Sequence, residues 1–241
     1  MHILFGKWTE NKLDQFLREA LAVRDTGERI DLISRQFLET AYKGSTLTGD
    51  PQTPEDLVVN LQEVDCFTFL DYVEAMRLSG SFFEFIKNLK KVRYRGGDVA
   101  FQNRNHFFTD WLEFNSDMVH DVTEQVGGPG TKSITKILNQ KENGSVFLDG
   151  VQPAEREIRF IPSGSINEDV ISNLQTGDYA GIYSELHGLD VSHAGIIIKN
   201  NGPVYLRHAS SKSSYHKVID QDFKHYIYNR PGLIVFRPGN L

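Results

Sequence analysis

The chain has 241 residues and a mass of 27.4 kDa, enough to bury a substantial core in one large domain or two small ones. Its formal net charge of −6 excludes a global basic surface of the kind that binds nucleic acid. No apolar run approaches the roughly 18 to 20 residues that a transmembrane helix needs, so we expect no membrane span.

Apolar spacing predicts helices in the first half of the chain. An amphipathic pattern covers residues 11–23 and repeats over 28–42, and a third helix is expected from about Asp65. Two further helices are predicted over 81–92 and around the segment FFTDWLEF. Between the second and third helices, YKGSTLTGDPQTPED has the composition of a loop.

The pattern changes near residue 145. Short segments rich in β-branched and aromatic residues follow, such as GDYAGIYS, SHAGIIIKN, GPVYLRHAS and GLIVFRP, and the turn KNNGP predicts a hairpin between two of them. Helices followed by antiparallel strands indicate the α+β class. We therefore predict one domain over 1–241, with a helical lobe at about 1–145 and an antiparallel β-sheet or barrel lobe at about 146–241.

Cys66 is the only cysteine, which excludes an intramolecular disulfide and a multi-cysteine zinc site. Asp65 is a good helix N-cap, so the thiol is expected in the first turn of a helix. There the helix dipole and the unpaired backbone N–H groups favour a thiolate, the form that acts as a nucleophile. The alternative is that Cys66 is a buried core residue, since it also begins the apolar face of this helix.

A nucleophilic cysteine needs a base, and two histidines occur in predicted strands. His193 and His208 flank the expected hairpin and would lie at comparable heights on neighbouring strands, where their side chains can meet. One histidine can then hold the tautomer of the other. The alternative is that both are satisfied by local hydrogen bonds.

These features together resemble a known family. The segments LQEVDCFTFLDYVEAM, RYRGG, RNHFFTDWLEFN, LDVSHAGIII and LRHASS, in this order, are similar to the N-acetylmuramoyl-L-alanine amidase-like members of the NlpC-type, papain-like cell-wall hydrolases. The resemblance covers roughly residues 57 to 237. It implies a papain-like cysteine hydrolase fold that acts on peptidoglycan fragments without a cofactor or metal.

The same resemblance assigns roles to residues. It implies Cys66 as nucleophile, His193 as general base and His208 as the residue that orients the base, while Asp65 caps the helix or meets substrate. The substrate-binding candidates of the central segment are Arg104, His106 and Trp111. For Trp111, which shares a helical face with Phe107 and Phe114, core packing is the default and a sugar-stacking wall is the alternative.

Other functions compete with this interpretation. They are a zinc amidase with ligands drawn from His106, His193, His208 and Asp190, a stem-peptide endopeptidase on the same scaffold, another papain-like hydrolase or acyltransferase with a different amide substrate, and a non-catalytic wall-binding module. The start of the sequence, MHILFGKWTENKLDQ, lacks the pattern of a signal peptide. We expect a monomer in the periplasm or cell envelope if a leader has been removed, and in the cytoplasm otherwise.

Overall fold

The computed structural model describes residues 1–199 and 202–239, and the chain forms two compact units. The first unit comprises Met1–Arg104 with Arg207–Gln221, and the second comprises Asn105–Leu206 with Asp222–Gly239. The expected α+β class is confirmed as a mixed structure with a large antiparallel sheet. The single domain over 1–241 stays a prediction.

Helices of the first unit each begin at a side chain that accepts a hydrogen bond from a backbone N–H of the first turn. The helices are α1 (Glu10–Leu21), α2 (Thr26–Arg35), α3 (Cys66–Arg77) and α4 (Phe82–Arg93), and their caps are Thr9, Asp25, Asp65 and Ser81. The helix predicted over 28–42 is shorter than expected. It ends at Arg35, a turn over 36–39 follows in which Glu39 has a left-handed φ of 70°, and a short strand begins at Ala41.

Short strands of the first unit lead towards the start of α3. Strand β1 (His2–Leu4) pairs in parallel with β3 (Val58–Asn60), and β2 (Ala41–Tyr42) pairs in parallel with β4 (Glu63–Val64). Strands β10 (Val204–Ala209) and β11 (Val218–Asp222) are neighbours, and most of β11 belongs to this unit.

The second unit is built on the large sheet. Its helices are α5 (Phe108–Phe114), α6 (Thr123–Gly127), α7 (Glu168–Asn173) and α8 (Phe223–Ile227). Its other strands are β5 (Val119–Asp121), β6 (Lys132–Leu138), β7 (Ala154–Pro162), β8 (Tyr179–Tyr183), β9 (Val191–Lys199) and β12 (Gly232–Pro238). The strand order is β10-β9-β8-β12-β7-β6, and β5 pairs with β12.

The boundary expected near residue 145 is wrong, because β5 and β6 both precede it. Strand β6 pairs with β7 over seven residues, yet most of its side chains are exposed, so it lacks the apolar run that marks a buried strand. The turn predicted at KNNGP includes positions 200 and 201, which lie outside the described residues. The strands on either side of it, β9 and β10, are neighbours as predicted.

Candidate active site

Cys66 is the first residue of α3, and Asp65 is its N-cap as the sequence predicts. The Oδ1 of Asp65 accepts hydrogen bonds from the backbone N–H groups of Phe67 (3.0 Å) and Thr68 (2.7 Å). In return, the Thr68 hydroxyl oxygen accepts from the Asp65 N–H at 3.0 Å, which completes a capping box. The half-buried thiol therefore lies at the positive end of a twelve-residue helix, where a thiolate is favoured.

Tyr42 is a neighbour of this thiol that sequence reasoning missed. Strand pairing places Tyr42 opposite Val64, two residues before Cys66, and the Lys43 N–H donates to the Val64 carbonyl at 3.0 Å. Burial raises the pKa of the Tyr42 phenol, and the charges of Cys66 and Asp65 raise it further. The phenol therefore stays protonated at neutral pH and can donate a hydrogen bond beside the Cys66 thiol.

His208 lies on β10 and is 2% exposed. Its Nε2 is 3.3 Å from the Oε1 of Gln221 on β11, within the first unit. The preceding residue, Arg207, is also buried and binds Asp220 on β11 and Asp31 on α2. These contacts hold the strand that carries His208.

His193 lies on β9, opposite Ile182 of β8, in the second unit. The pairing of these two strands is irregular between Ile182 and Tyr183, immediately beside this position. The imidazole is half-buried, and its ring centre is 6.2 Å from that of Tyr226 on α8. Cys66 and His208 belong to the first unit and His193 to the second, so the three-residue constellation stays a prediction.

Arg104 is engaged in a partly buried network of the first unit. Its guanidinium binds the carboxylate of Glu55 through Nε (3.1 Å) and Nη2 (2.5 Å), and Nη2 also donates to the Thr48 carbonyl at 3.3 Å. The Tyr94 hydroxyl donates to Glu55 at 2.7 Å. Arg104 therefore anchors the loop around Glu55. Its contact with substrate stays a prediction.

Trp111 is in the core, and its alternative role as a sugar-stacking wall is wrong. Its side chain is 1% exposed and packs edge-on against Tyr179 with ring centres 5.2 Å apart. A sugar cannot stack on a ring that has no open face. The core packing that the helical spacing of Trp111 with Phe107 and Phe114 predicts is confirmed.

His106 precedes α5 and is half-buried. Its backbone N–H and that of Phe107 both donate to Asp110 at 3.1 Å, and Arg156 on β7 donates to the same carboxylate at 3.0 Å. This fixes the backbone at His106, while the role of its side chain stays a prediction.

Asp190 precedes β9 and is fully buried. Its carboxylate accepts from the Thr109 N–H (2.7 Å) and hydroxyl (2.9 Å), and from the Val191 N–H (2.7 Å). Burial raises the pKa of Asp190, although these hydrogen bonds act in the opposite direction. Asp190 therefore ties the start of α5 to the strand that carries His193.

Two further properties bear on alternative functions. Within residues 1–199 and 202–239, no group of three or more His, Cys, Asp or Glu side chains is arranged to hold a metal ion. Across the same residues, no helix is both long enough and apolar enough to cross a membrane.

Several solved structures share this fold. A Legionella pneumophila protein with the family label DUF1460 is 22% identical with a TM-score of 0.79, and the match covers 93% of each chain. An N-acetylmuramoyl-L-alanine amidase from Bacteroides uniformis is 26% identical with a TM-score of 0.74, covering 89% of this chain and 99% of that one. A putative xylanase from Bacteroides fragilis is 26% identical with a TM-score of 0.67, covering 85% of this chain and 98% of that one.

No curated protein matches the chain significantly. The family model described as AmiA-like, N-acetylmuramoyl-L-alanine amidase-like, matches residues 32–233, which include Cys66, His193 and His208. This span is most of the chain. The protein therefore belongs to the AmiA-like family of N-acetylmuramoyl-L-alanine amidase-like proteins.

Proposed function

We propose that the protein is a cysteine amidase that hydrolyses the bond between N-acetylmuramic acid and L-alanine in peptidoglycan fragments. The observation that carries the proposal is the position of Cys66, the first residue of a helix capped by Asp65, in a chain of an amidase-like family. We further propose that the scaffold is of the NlpC type within the papain-like hydrolases. This agrees with the chain order of the helix-borne cysteine and the strand-borne histidines.

In the proposed first step, the Cys66 thiolate adds to the carbonyl carbon of the muramoyl amide. The negative charge moves to the carbonyl oxygen, and the Cys66 N–H at the helix start is suited to donate to it. When the C–N bond breaks, the His193 imidazolium gives its proton to the departing nitrogen. A peptide with a free L-alanine amino group leaves, and a muramoyl thioester stays on Cys66.

In the second step, neutral His193 takes a proton from water while the water oxygen attacks the thioester. The C–S bond breaks and the muramic acid is released, losing its carboxyl proton to solvent, while the Cys66 thiolate and the His193 imidazolium are restored. His208 orients His193 in this scheme. Asp65, Arg104 and His106 stay candidates for substrate contacts. The proposed compartment is the periplasm or cell envelope if a leader is removed, and the cytoplasm otherwise.

The choice of bond is tested with two substrates. An N-acetylmuramoyl-L-alanyl peptide should yield the free sugar acid and a peptide that starts at L-alanine, while the sugar-free stem peptide should resist. Mass analysis of the products identifies the cut. Rapid cleavage of the sugar-free tetrapeptide between its second and third residues would show a stem-peptide endopeptidase instead, and binding without turnover of either substrate would show a wall-binding module.

The catalytic type is tested with two inhibitors. Iodoacetamide alkylates a reactive thiolate and should abolish turnover, while a chelator should leave turnover unchanged. The reverse result would support the zinc amidase. If the muramoyl peptide protects Cys66 from alkylation by iodoacetamide, the thiol lies at the bound substrate.

A further inference from the structure

The face of β11 that contacts His208 is fixed by the register of two strands. Arg207 on β10 binds Asp220 on β11 through Nε–Oδ1 (2.7 Å) and Nη2–Oδ2 (2.8 Å), and the Ser210 N–H donates to the Lys217 carbonyl at 2.9 Å. Successive side chains of a strand point to opposite faces. His208 and Gln221 therefore share the face opposite to Arg207 and Asp220, as diagonal neighbours within reach of each other.

The amide oxygen of Gln221 faces the imidazole of His208. The Oε1 of Gln221, 3.3 Å from the Nε2 of His208, is an acceptor only. Nε2 must therefore carry the proton to form this hydrogen bond. In a neutral imidazole that leaves Nδ1 without a proton and able to accept.

We infer that Gln221 is a positioning residue that holds His208 in the Nε2–H tautomer. The inference deepens the proposed function and rests on it. In that function His208 orients the imidazole of His193 by accepting its N–H, and for this His208 needs an unprotonated ring nitrogen. In the Nε2–H tautomer His208 offers Nδ1 for this purpose. In the other tautomer Nδ1 is a donor and cannot accept from the base.

The structural environment supports a fixed ring rather than a freely turning one. His208 is 2% exposed, and the flanking Arg207 is equally buried and held by Asp31, Ser34 and Asp220. A buried polar ring without a hydrogen-bond partner is costly, so the Gln221 acceptor favours the tautomer that can donate to it. Gln221 acts on His208 and not on substrate.

The test uses three variants of one strand. Gln221→Leu removes the acceptor at nearly constant size, and Gln221→Glu keeps an acceptor. Asp220→Asn is the matched control, because it weakens the anchor of Arg207 on the opposite face without touching the His208 ring. Long-range ¹H–¹⁵N correlation spectra at alkaline pH, where imidazole is neutral, report the tautomer of His208 directly.

We expect Nε2–H in the wild type, in Gln221→Glu and in Asp220→Asn, and a mixture of tautomers in Gln221→Leu. In Gln221→Leu kcat should fall about tenfold with little change in KM, as when the residue that holds a functional histidine by a hydrogen bond is lost. In Gln221→Glu, assayed at alkaline pH, kcat should fall less. In Asp220→Asn the melting temperature should fall while the tautomer stays.

Two results would overturn the inference. One is a wild-type His208 that carries its proton on Nδ1, and the other is a Gln221→Leu variant with the wild-type tautomer and kcat. The spectra need no turnover, so they separate this inference from the proposed function. If His208 has a fixed Nε2–H tautomer but the protein cleaves no muramoyl peptide, the tautomer assignment stands. The proposed amidase function would then be overturned.

Discussion

At the scale of single residues, the surroundings of Cys66 depend on backbone pairing more than on nearness in the chain. Tyr42 precedes Cys66 by 24 positions and reaches it because β2 pairs with β4, which runs directly into α3. On its other side, the Tyr42 N–H donates to the His216 carbonyl at 2.9 Å, and the two rings meet edge-on with centres 5.3 Å apart. The phenol is therefore held in one place.

We expect Tyr42→Phe to lower kcat by roughly ten- to hundredfold, the equivalent of losing one hydrogen bond to a charged group of about 1.5–3 kcal/mol. The ring stays in place, so the melting temperature should change little. Steady-state kinetics and a thermal melt check both expectations. Unchanged kcat would show that the phenol does not donate during the reaction.

Asp190 gives a prediction for pH. Its pKa is raised by burial above the usual value of 3.8, so the folded state binds a proton more readily than the unfolded state. From about pH 3.8 up to the raised pKa, the contribution of this group to the free energy of unfolding therefore decreases as pH rises. Above the raised pKa it stays constant at its lowest value.

Asp190→Asn removes this titration and keeps an oxygen that can accept from Thr109. The difference in unfolding free energy between variant and wild type should change in favour of the variant as pH rises through that window. Urea unfolding at a series of pH values measures it. A difference that is independent of pH would contradict the assignment.

At the scale of elements, local and distant contacts differ in what the sequence reveals. The cap at Asp65 and the start of α3 could be predicted, because a capping box involves only four consecutive residues. The partner of Arg104 could not, because Glu55 lies 49 positions away in a loop. Tyr42 could not be predicted as a neighbour of Cys66 for the same reason. Strand β6 could not be predicted because most of its side chains are exposed and it has no buried apolar run.

The pair of Arg104 and Glu55 predicts a stability effect. The Glu55 side chain is 1% exposed, so Arg104→Ala leaves a buried carboxylate without this counter-charge, held by the Tyr94 hydroxyl, and should cost about 3–5 kcal/mol. Adding Glu55→Gln should recover part of this loss. The control is Lys224→Ala, which breaks an exposed pair with Glu168 and should cost less than about 1 kcal/mol.

Urea unfolding of the single and double variants gives the coupling between the two side chains. A substrate contact by Arg104 would appear separately, as a higher KM under conditions where the variant is fully folded. No loss of stability in Arg104→Ala would contradict the anchoring role.

At the scale of the whole molecule, the family and the proposed catalytic residues rest on different evidence. The family model spans residues 32–233. The structural match to the solved amidase from Bacteroides uniformis covers 89% of this chain. The fold class could be predicted because helices precede most strands in the chain. The inclusion of residues 207–221 in the first unit could not be predicted from the sequence. It depends on long-range pairing of β2 with the segment that leads into β11.

The central claim is that Cys66 is the nucleophile, and turnover by Cys66→Ala tests it most directly. Alanine is well tolerated in a helix, so the variant should melt at the wild-type temperature and still bind the N-acetylmuramoyl-L-alanyl peptide. We predict that its release of the L-alanyl peptide falls below about 1% of the wild-type rate, as when a covalent nucleophile is removed. Release at a rate comparable to the wild type, from a variant that contains no cysteine, would contradict the account.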